Sequence, residues 1–430
     1  MKSKNVLIVI PHLGVGGTEI QTLNTVRALV LGGYKVTVLC LFRHIASVVA
    51  DYENCGAKIY CACPQYNDYG IAIAYPKHLK LFLFLYKHLK EVIKREKIDI
   101  VHVQYMSPAS SVILVLRFLL FQRNIIVTSH TMADIYKNLS LVHFIQKHCA
   151  RVFTCITERA ERSFFGTSQL YTPEMVLGRR NHFTIYNSLP AKLGWSCNEN
   201  EDEDADAKGA SVATAAGLSA QRSVACNPYE NSKGSQLTAH GQQLIANSQE
   251  PNTKLTLGVV SRLEPIKGMD LVVPALAEVL KVHPDTQLLV VGDGSLRASM
   301  EQQAVELGCA DHIRFVGRQP QEELSQWYSQ MDIVLMPSRS EGFGLTAIEA
   351  MACGCVMVAS DTGGLPEVVR DGVCGLLHRT EDVTDMAAKI STLIGDQELY
   401  TTLRTQSLQE VEKYSFERYA ELIHNLYSKL

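Results

Sequence analysis

Two short stretches combine charge with glycine in a way that could hold a phosphorylated ligand. Residues 261–268 read SRLEPIKG, with Arg262 and Lys267 five positions apart around a proline-containing loop. Arginine offers a planar fork and lysine a point charge, so the pair could grip neighbouring phosphates. Residues 340–349 read SEGFGLTAIE. Gly342 and Gly344 hold Glu341 on a loop, and the pattern from 345 to 353 is helical. The first amides of such a helix, around Gly344 and Leu345, have no partner within it and attract an anion. Glu349 falls about four residues into the helix, roughly 6 Å along its axis. Its neighbours are Ala347, Ile348, Ala350 and Met351, where a carboxylate is costly unless partnered. Two carboxylates flanking an anion site suit a ligand with hydroxyls on both sides of a diphosphate.

A weaker signal lies near the amino terminus. Gly14, Gly16 and Gly17 follow an apolar run and precede a helical stretch, so backbone could approach a ligand closely there. The spacing GVGGTE is not GxGxxG, and Leu39-Cys40-Leu41 stands where a dinucleotide site needs an acid. His130, in IIVTSHTMAD, follows another strand-like run.

The elements that must position these residues alternate. Strand-like runs at 5–11, 35–41, 58–61, 100–104, 125–129, 152–156 and 184–187 are separated by helical patterns. Such alternation predicts an α/β domain with a parallel sheet over residues 1–190. The rhythm restarts in residues 254–411. A helical segment at 412–430 could pack back on the first domain. The expected fold class is α/β, two Rossmann-like domains facing a cleft. Between them, residues 196–253 include NENEDEDADA, and only seven of 58 are large apolar or aromatic. That is too few to offset the entropy of ordering, so a disordered acidic insertion is expected.

Composition excludes several classes. The chain has 430 residues, 47% of them hydrophobic and 20% charged. Its 41 basic and 44 acidic side chains give −3, no basic field for nucleic acid. The 196–253 segment alone holds eight acids and three bases, leaving the rest near +2. The twelve cysteines show no CxxC spacing and no zinc pattern. Reduced thiols and a cytoplasmic location are expected, since MKSKNVLIVIP runs straight into a strand without a secretory signal. Apolar runs at 79–89 and 111–127 are too interrupted to span a bilayer. Residues 76–96 carry Lys77, Lys80, Lys87, Lys90, Lys94 and Arg95 around an apolar run. They read as a helix packed on the sheet or as a peripheral contact with an anionic membrane face.

SRLEPIKG, VVGDGSLR and EGFGLTAIE, with GVGGTE upstream, together resemble the retaining GT-B glycosyltransferases of family 4. Glu349 stands eight positions after Glu341, as in that family's E-x7-E element. The resemblance implies transfer of a sugar from a nucleotide diphosphate donor, UDP first and GDP next. The acceptor would be a saccharide or lipid-linked saccharide, in polysaccharide or glycolipid biosynthesis. It places Arg262 and Lys267 on the donor diphosphate and Glu349 on the ribose. Glu341 would face the donor sugar, with amides of Gly342, Phe343, Gly344 and Leu345 beside it. Gly16 and Gly17 would close from the other domain, and His130 would lie near the sugar. Asn187 and Ser188 stand where the family has an Asn-Gly turn. No DxD element occurs in these loops, so neither metal nor cofactor is expected. The alternatives are a nucleotide-sugar 2-epimerase of the same fold and a catalytically silent nucleotide-sugar-binding protein.

Overall fold

The computed structural model describes residues 4–63, 78–105, 110–136, 138–178, 180–191 and 255–430. The acidic 196–253 segment lies outside them. The first domain is built on seven parallel strands in the order β3-β2-β1-β4-β5-β6-β7. They are β1 (Asn5–Leu13), β2 (Lys35–His44), β3 (Lys58–Cys61), β4 (Ile100–Tyr105), β5 (Ile125–Ser129), β6 (Val152–Cys155) and β7 (His182–Thr184). Their continuous apolar runs reflect burial on both faces. Val6, Ile8 and Ile10 face helices Gly17–Leu31 and Ala46–Asn54. Leu7 and Val9 face helices His78–Glu96 and Leu139–His148.

The second domain has six parallel strands in the order β10-β9-β8-β11-β12-β13. These are β8 (Thr256–Val260), β9 (Gln287–Val291), β10 (Ile313–Gly317), β11 (Ile333–Met336), β12 (Val356–Ser360) and β13 (Gly375–His378). Strand order reverses between β1 and β4 in one sheet and between β8 and β11 in the other. Open α/β sheets bind ligands outside the carboxyl ends of strands at such reversals. The loops that leave β1, β8 and β11 there are the three glycine-containing motifs.

Two expected boundaries move. The last strand of the first sheet is His182–Thr184 rather than 184–187. Beyond it Tyr186 turns to pack on Phe343 and Tyr414 of the second domain, with centroids 6.1 and 5.6 Å away. The terminal helix spans Phe416–Ser428, capped by Ser415 after a tight turn at Val411–Tyr414. It crosses to the first domain, where Phe416, Tyr419, Ile423 and Tyr427 join the core around Val26 and Leu29. Tyr419 shares a 2.7 Å hydrogen bond with Thr25, and Tyr427 another of 2.7 Å with Nδ1 of His102. Each such side chain contributes about 1.5–3 kcal/mol on burial. That holds in place a helix whose length alone would leave it marginal.

Candidate functional site

Close backbone approaches bring the loops that follow β8 and β11 together. Gly268, at φ 66°, would place a Cβ 1.9 Å from the Pro337 carbonyl, and Gly292, at φ 140°, one 1.8 Å from the Ser261 carbonyl. Only glycine fits either position. Arg339 then ties loop to loop. Its amide donates to the Ile266 carbonyl at 3.0 Å. Its guanidinium forks onto Asp270 at 2.7 and 2.8 Å, and also reaches Glu381 and the Pro265 carbonyl. As a result, Lys267 Nζ lies 2.6 Å from Glu341 Oε2, both groups partly buried. Arg262 is exposed at the cleft mouth and its guanidinium makes no hydrogen bond or ion pair among the described residues, though its charge acts on Glu19 and Glu264.

Beside that pair begins the helix Leu345–Ala352, led in by Gly344 at φ 101° with no side-chain cap. Among the described residues the amides of Leu345 and Thr346 have no acceptor, which leaves partial positive charge facing the cleft. Glu349 is only 4% exposed. It accepts from Gln321 Nε2 at 2.9 Å and from the Tyr328 hydroxyl at 3.1 Å. Burial pushes its carboxyl up to about 7, against those two bonds. Phe343 also lines the cleft. Its ring packs between Tyr186 and Tyr414.

The first domain closes the other wall. A Cβ at Gly17 would sit 3.5 Å from Leu345 Cδ1, and one at Gly342 would sit 2.6 Å from the His130 carbonyl. Gly16 lies under Glu19, whose Oε2 would be 2.7 Å from an added Cβ. Burial pushes the Glu19 carboxyl up, opposed by backbone hydrogen bonds at Glu19 and Gly14 and by Arg262. Glu19 thus holds the glycine loop in shape. His130 is buried, with Nε2 2.6 Å from Gln104 Oε1. Burial pushes its ring down to about 4, so the imidazole is neutral at pH 7. Ser188 is buried beside Asn187: its amide donates to Gln21 Oε1 at 3.0 Å and its Oγ accepts from Asn24 Nδ2 at 3.1 Å.

The cleft measures about 870 Å³; Gly16, Gly17, His130, Arg262, Lys267, Glu349 and the whole Glu341–Leu345 loop line it, whereas Gly14 and Ser188 do not. Asn187 lines it as well. Arg339, Gln321, Tyr328, Glu19 and Gln104 support it and were not singled out. Only Arg339 carried a signal, a cation two positions before Glu341. Among the described residues no three His, Cys, Asp or Glu side chains group as metal ligands.

A family model described as Glycosyl transferases group 1 matches residues 242–409, and one described as Glycosyltransferase Family 4 matches residues 15–167. Over 181 residues the chain is 38% identical to a D-inositol 3-phosphate glycosyltransferase of Corynebacterium jeikeium, covering 40% of this chain and 43% of that one. A Nocardia farcinica protein of the same name is 37% identical over 176 residues, 39% of each chain. The matched part therefore spans about two fifths of those relatives' length. Among solved structures, Anabaena Alr3699/HepE in complex with UDP and glucose superposes with TM-score 0.67 at 18% identity, over 99% of this chain and 100% of that one. The apo lipopolysaccharide outer core galactosyltransferase WaaB gives TM-score 0.62 at 16% identity, over 99% and 100%. These two share the fold. With both domains matched in sequence and the two-sheet architecture in place, the chain belongs to the family 4 glycosyltransferases of GT-B fold.

Proposed function

We propose that the protein transfers a glycosyl group from a nucleotide diphosphate sugar to a saccharide acceptor, with retention of anomeric configuration. One observation carries this reading. Two cations, a pair of unpartnered helix amides and two carboxylates line one cleft between two domains. Arg262 and the amides of Leu345 and Thr346 suit a diphosphate. Glu349 keeps acceptor capacity beyond its bonds to Gln321 and Tyr328, enough for ribose hydroxyls. Glu341, oriented by Lys267, suits the hydroxyls of the donor sugar. Among the described residues lining the cleft there is no cysteine, and Glu341 and Glu349 are both already partnered. The proposed step is therefore front-side attack, in which the leaving phosphate takes the acceptor proton while fixed positive charge stabilises it. These cations and amides fill the charge-neutralising role of a metal, so transfer is proposed to need none.

UDP is the first donor to test, and the likeness to HepE, solved with UDP and glucose, supports that choice. The name of two relatives, D-inositol 3-phosphate glycosyltransferase, puts a phosphorylated polyol beside saccharides and lipid-linked saccharides among the acceptor classes to test. The proposed setting is polysaccharide or glycolipid assembly at the cytoplasmic face of a membrane. A 2-epimerase would convert donor with no acceptor present, and a silent binding protein would turn over nothing.

A thermal-shift series over UDP, GDP and ADP sugars tests the site. A ligand at 100 times its Kd adds about 2.7 kcal/mol of stability. One nucleotide class should stabilise the protein, and Arg262→Ala should abolish the shift. No stabilisation by any of the three would overturn the donor assignment.

A further inference from the structure

The His78–Glu96 helix spends its apolar stripe on the first sheet, with Leu85, Leu89 and Val92 in the core. Its outer face keeps lysines and only Leu79 and Leu83, 74% and 61% exposed. More apolar surface comes from the helices packed beside it. The chain at Ser110–Leu114 continues into a wide π-helical turn at Val115–Leu119. It leaves through Phe121, at φ 53°. Phe118, Leu119 and Phe121 consequently face solvent, Phe121 at 78% exposure. Phe118 stacks at 6.2 Å on the half-exposed Phe144 of Leu139–His148. Every strongly exposed phenylalanine among the described residues lies in this one helical layer. Exposed apolar surface of this kind marks a contact.

Charge identifies the partner. Residues 78–90, 110–124 and 139–148 hold Lys80, Lys87, Lys90, Arg117, Arg123 and Lys147 and no aspartate or glutamate. This sits in a chain of net charge −3. Glu91 and Glu96 lie farther along the first helix, and Glu96 is taken by Lys58 at 2.6 Å. A second copy meeting this face across a two-fold axis would bring like charges together. Aromatic and aliphatic side chains set among six cations, with Glu91 the one exposed acid on these helices, match an anionic lipid surface.

We propose that this helical layer rests on an anionic membrane leaflet, with Phe118, Leu119, Phe121 and Phe144 among the headgroups and the cations on lipid phosphates. Helices His78–Glu96 and Leu139–His148 begin beyond the carboxyl ends of β3 and β5, the edge that faces the cleft. Phe118, Leu119 and Phe121 lead instead into the amino end of β5, so the layer would run along the flank of the first domain from the cleft edge at Leu79 and Lys80 to the opposite edge of the sheet. The proposal sharpens the membrane setting proposed above, but the surface stands without any assignment of the reaction.

The test is co-sedimentation of the full chain with vesicles of phosphatidylcholine alone and of phosphatidylcholine with 30 mol % phosphatidylglycerol. The wild type should bind the anionic vesicles, less so in high salt, and leave the neutral ones in solution. A lysine near an anionic surface contributes about fivefold to partitioning, so Lys87→Glu with Lys90→Glu should lower binding by about 25-fold or more. Phe118→Ser with Phe121→Ser should lower it by at least about tenfold. These side chains are exposed, and an unchanged melting curve checks that the variants remain folded. Absent wild-type binding, or variants that bind like wild type, overturns the proposal. So does a dimer that the phenylalanine pair dissolves without any vesicle binding, which would assign the face to self-association. Donor-dependent transfer to a soluble acceptor, measured in parallel, separates failure of this surface from failure of the enzymatic reading.

Discussion

Replacing Glu349 by glutamine should flatten the dependence of stability on pH. The native carboxyl is raised from 4.5 to about 7 by burial. The folded chain therefore holds this proton more tightly than the unfolded chain does. Stability from this group is fully present below about pH 4.5, falls as pH rises, and levels off above about 7. A tenfold change in proton affinity is about 1.4 kcal/mol, so the whole effect is about 3 kcal/mol. Linkage places about 2 kcal/mol of it between pH 5.5 and 8.5. Glutamine keeps an oxygen for Gln321 and offers an amide to the Tyr328 hydroxyl, but it does not titrate. Denaturant unfolding of the second domain, followed across that pH range for both proteins, isolates Glu349 because other groups cancel in the difference. The wild type should lose about 2 kcal/mol relative to the variant by pH 8.5. Parallel pH profiles would show that the carboxyl is not held out of water as described.

Arg339→Lys cannot fork onto Asp270 while also reaching Glu381, so the two donor loops should loosen. Donor KM should rise about tenfold in steady-state kinetics, with little change in overall fold by circular dichroism. Gly342→Ala would put a methyl 2.6 Å from the His130 carbonyl and force the domains apart. It should cut turnover by about 100-fold and widen the particle in small-angle scattering. Tyr427→Phe leaves Nδ1 of His102 without its buried partner, a loss of about 1–3 kcal/mol readable in chemical denaturation.

Much of the fold was legible because parallel strands buried on both faces must be apolar throughout. Runs such as NVLIVI and IIVTS cannot easily be anything else. The site was legible where glycine is forced by geometry. Gly342 and Gly344 sit where a Cβ has little room, so they mark the cleft even in sequence, whereas Gly16 and Gly17 meet only side-chain atoms that could shift or already leave space. Side-chain destinations were less legible. Phe343 reads as part of the donor loop, yet its ring serves the domain contact, because Tyr186 and Tyr414 converge on it from distant segments. The same contact draws Tyr186 out of the strand pattern and ends β7 early. Lys267 and Glu341 were expected to have separate duties. Their ion pair depends on Arg339, whose partners lie 42 to 74 positions away. The Phe118–Phe121 surface was hidden for a related reason. An apolar run reads as core until the wide turn at Val115–Leu119 shows which of its residues face outward.

The most direct test of the central claim is release of nucleotide diphosphate from a UDP-sugar, measured with and without a saccharide acceptor. Wild-type protein should release UDP only with acceptor, yield a product of retained anomeric configuration, and keep its rate in excess chelator. Arg262→Ala and Lys267→Ala should each lower that rate by about 100-fold or more. Near-normal turnover in both variants, or conversion of the donor with no acceptor present, would contradict the account.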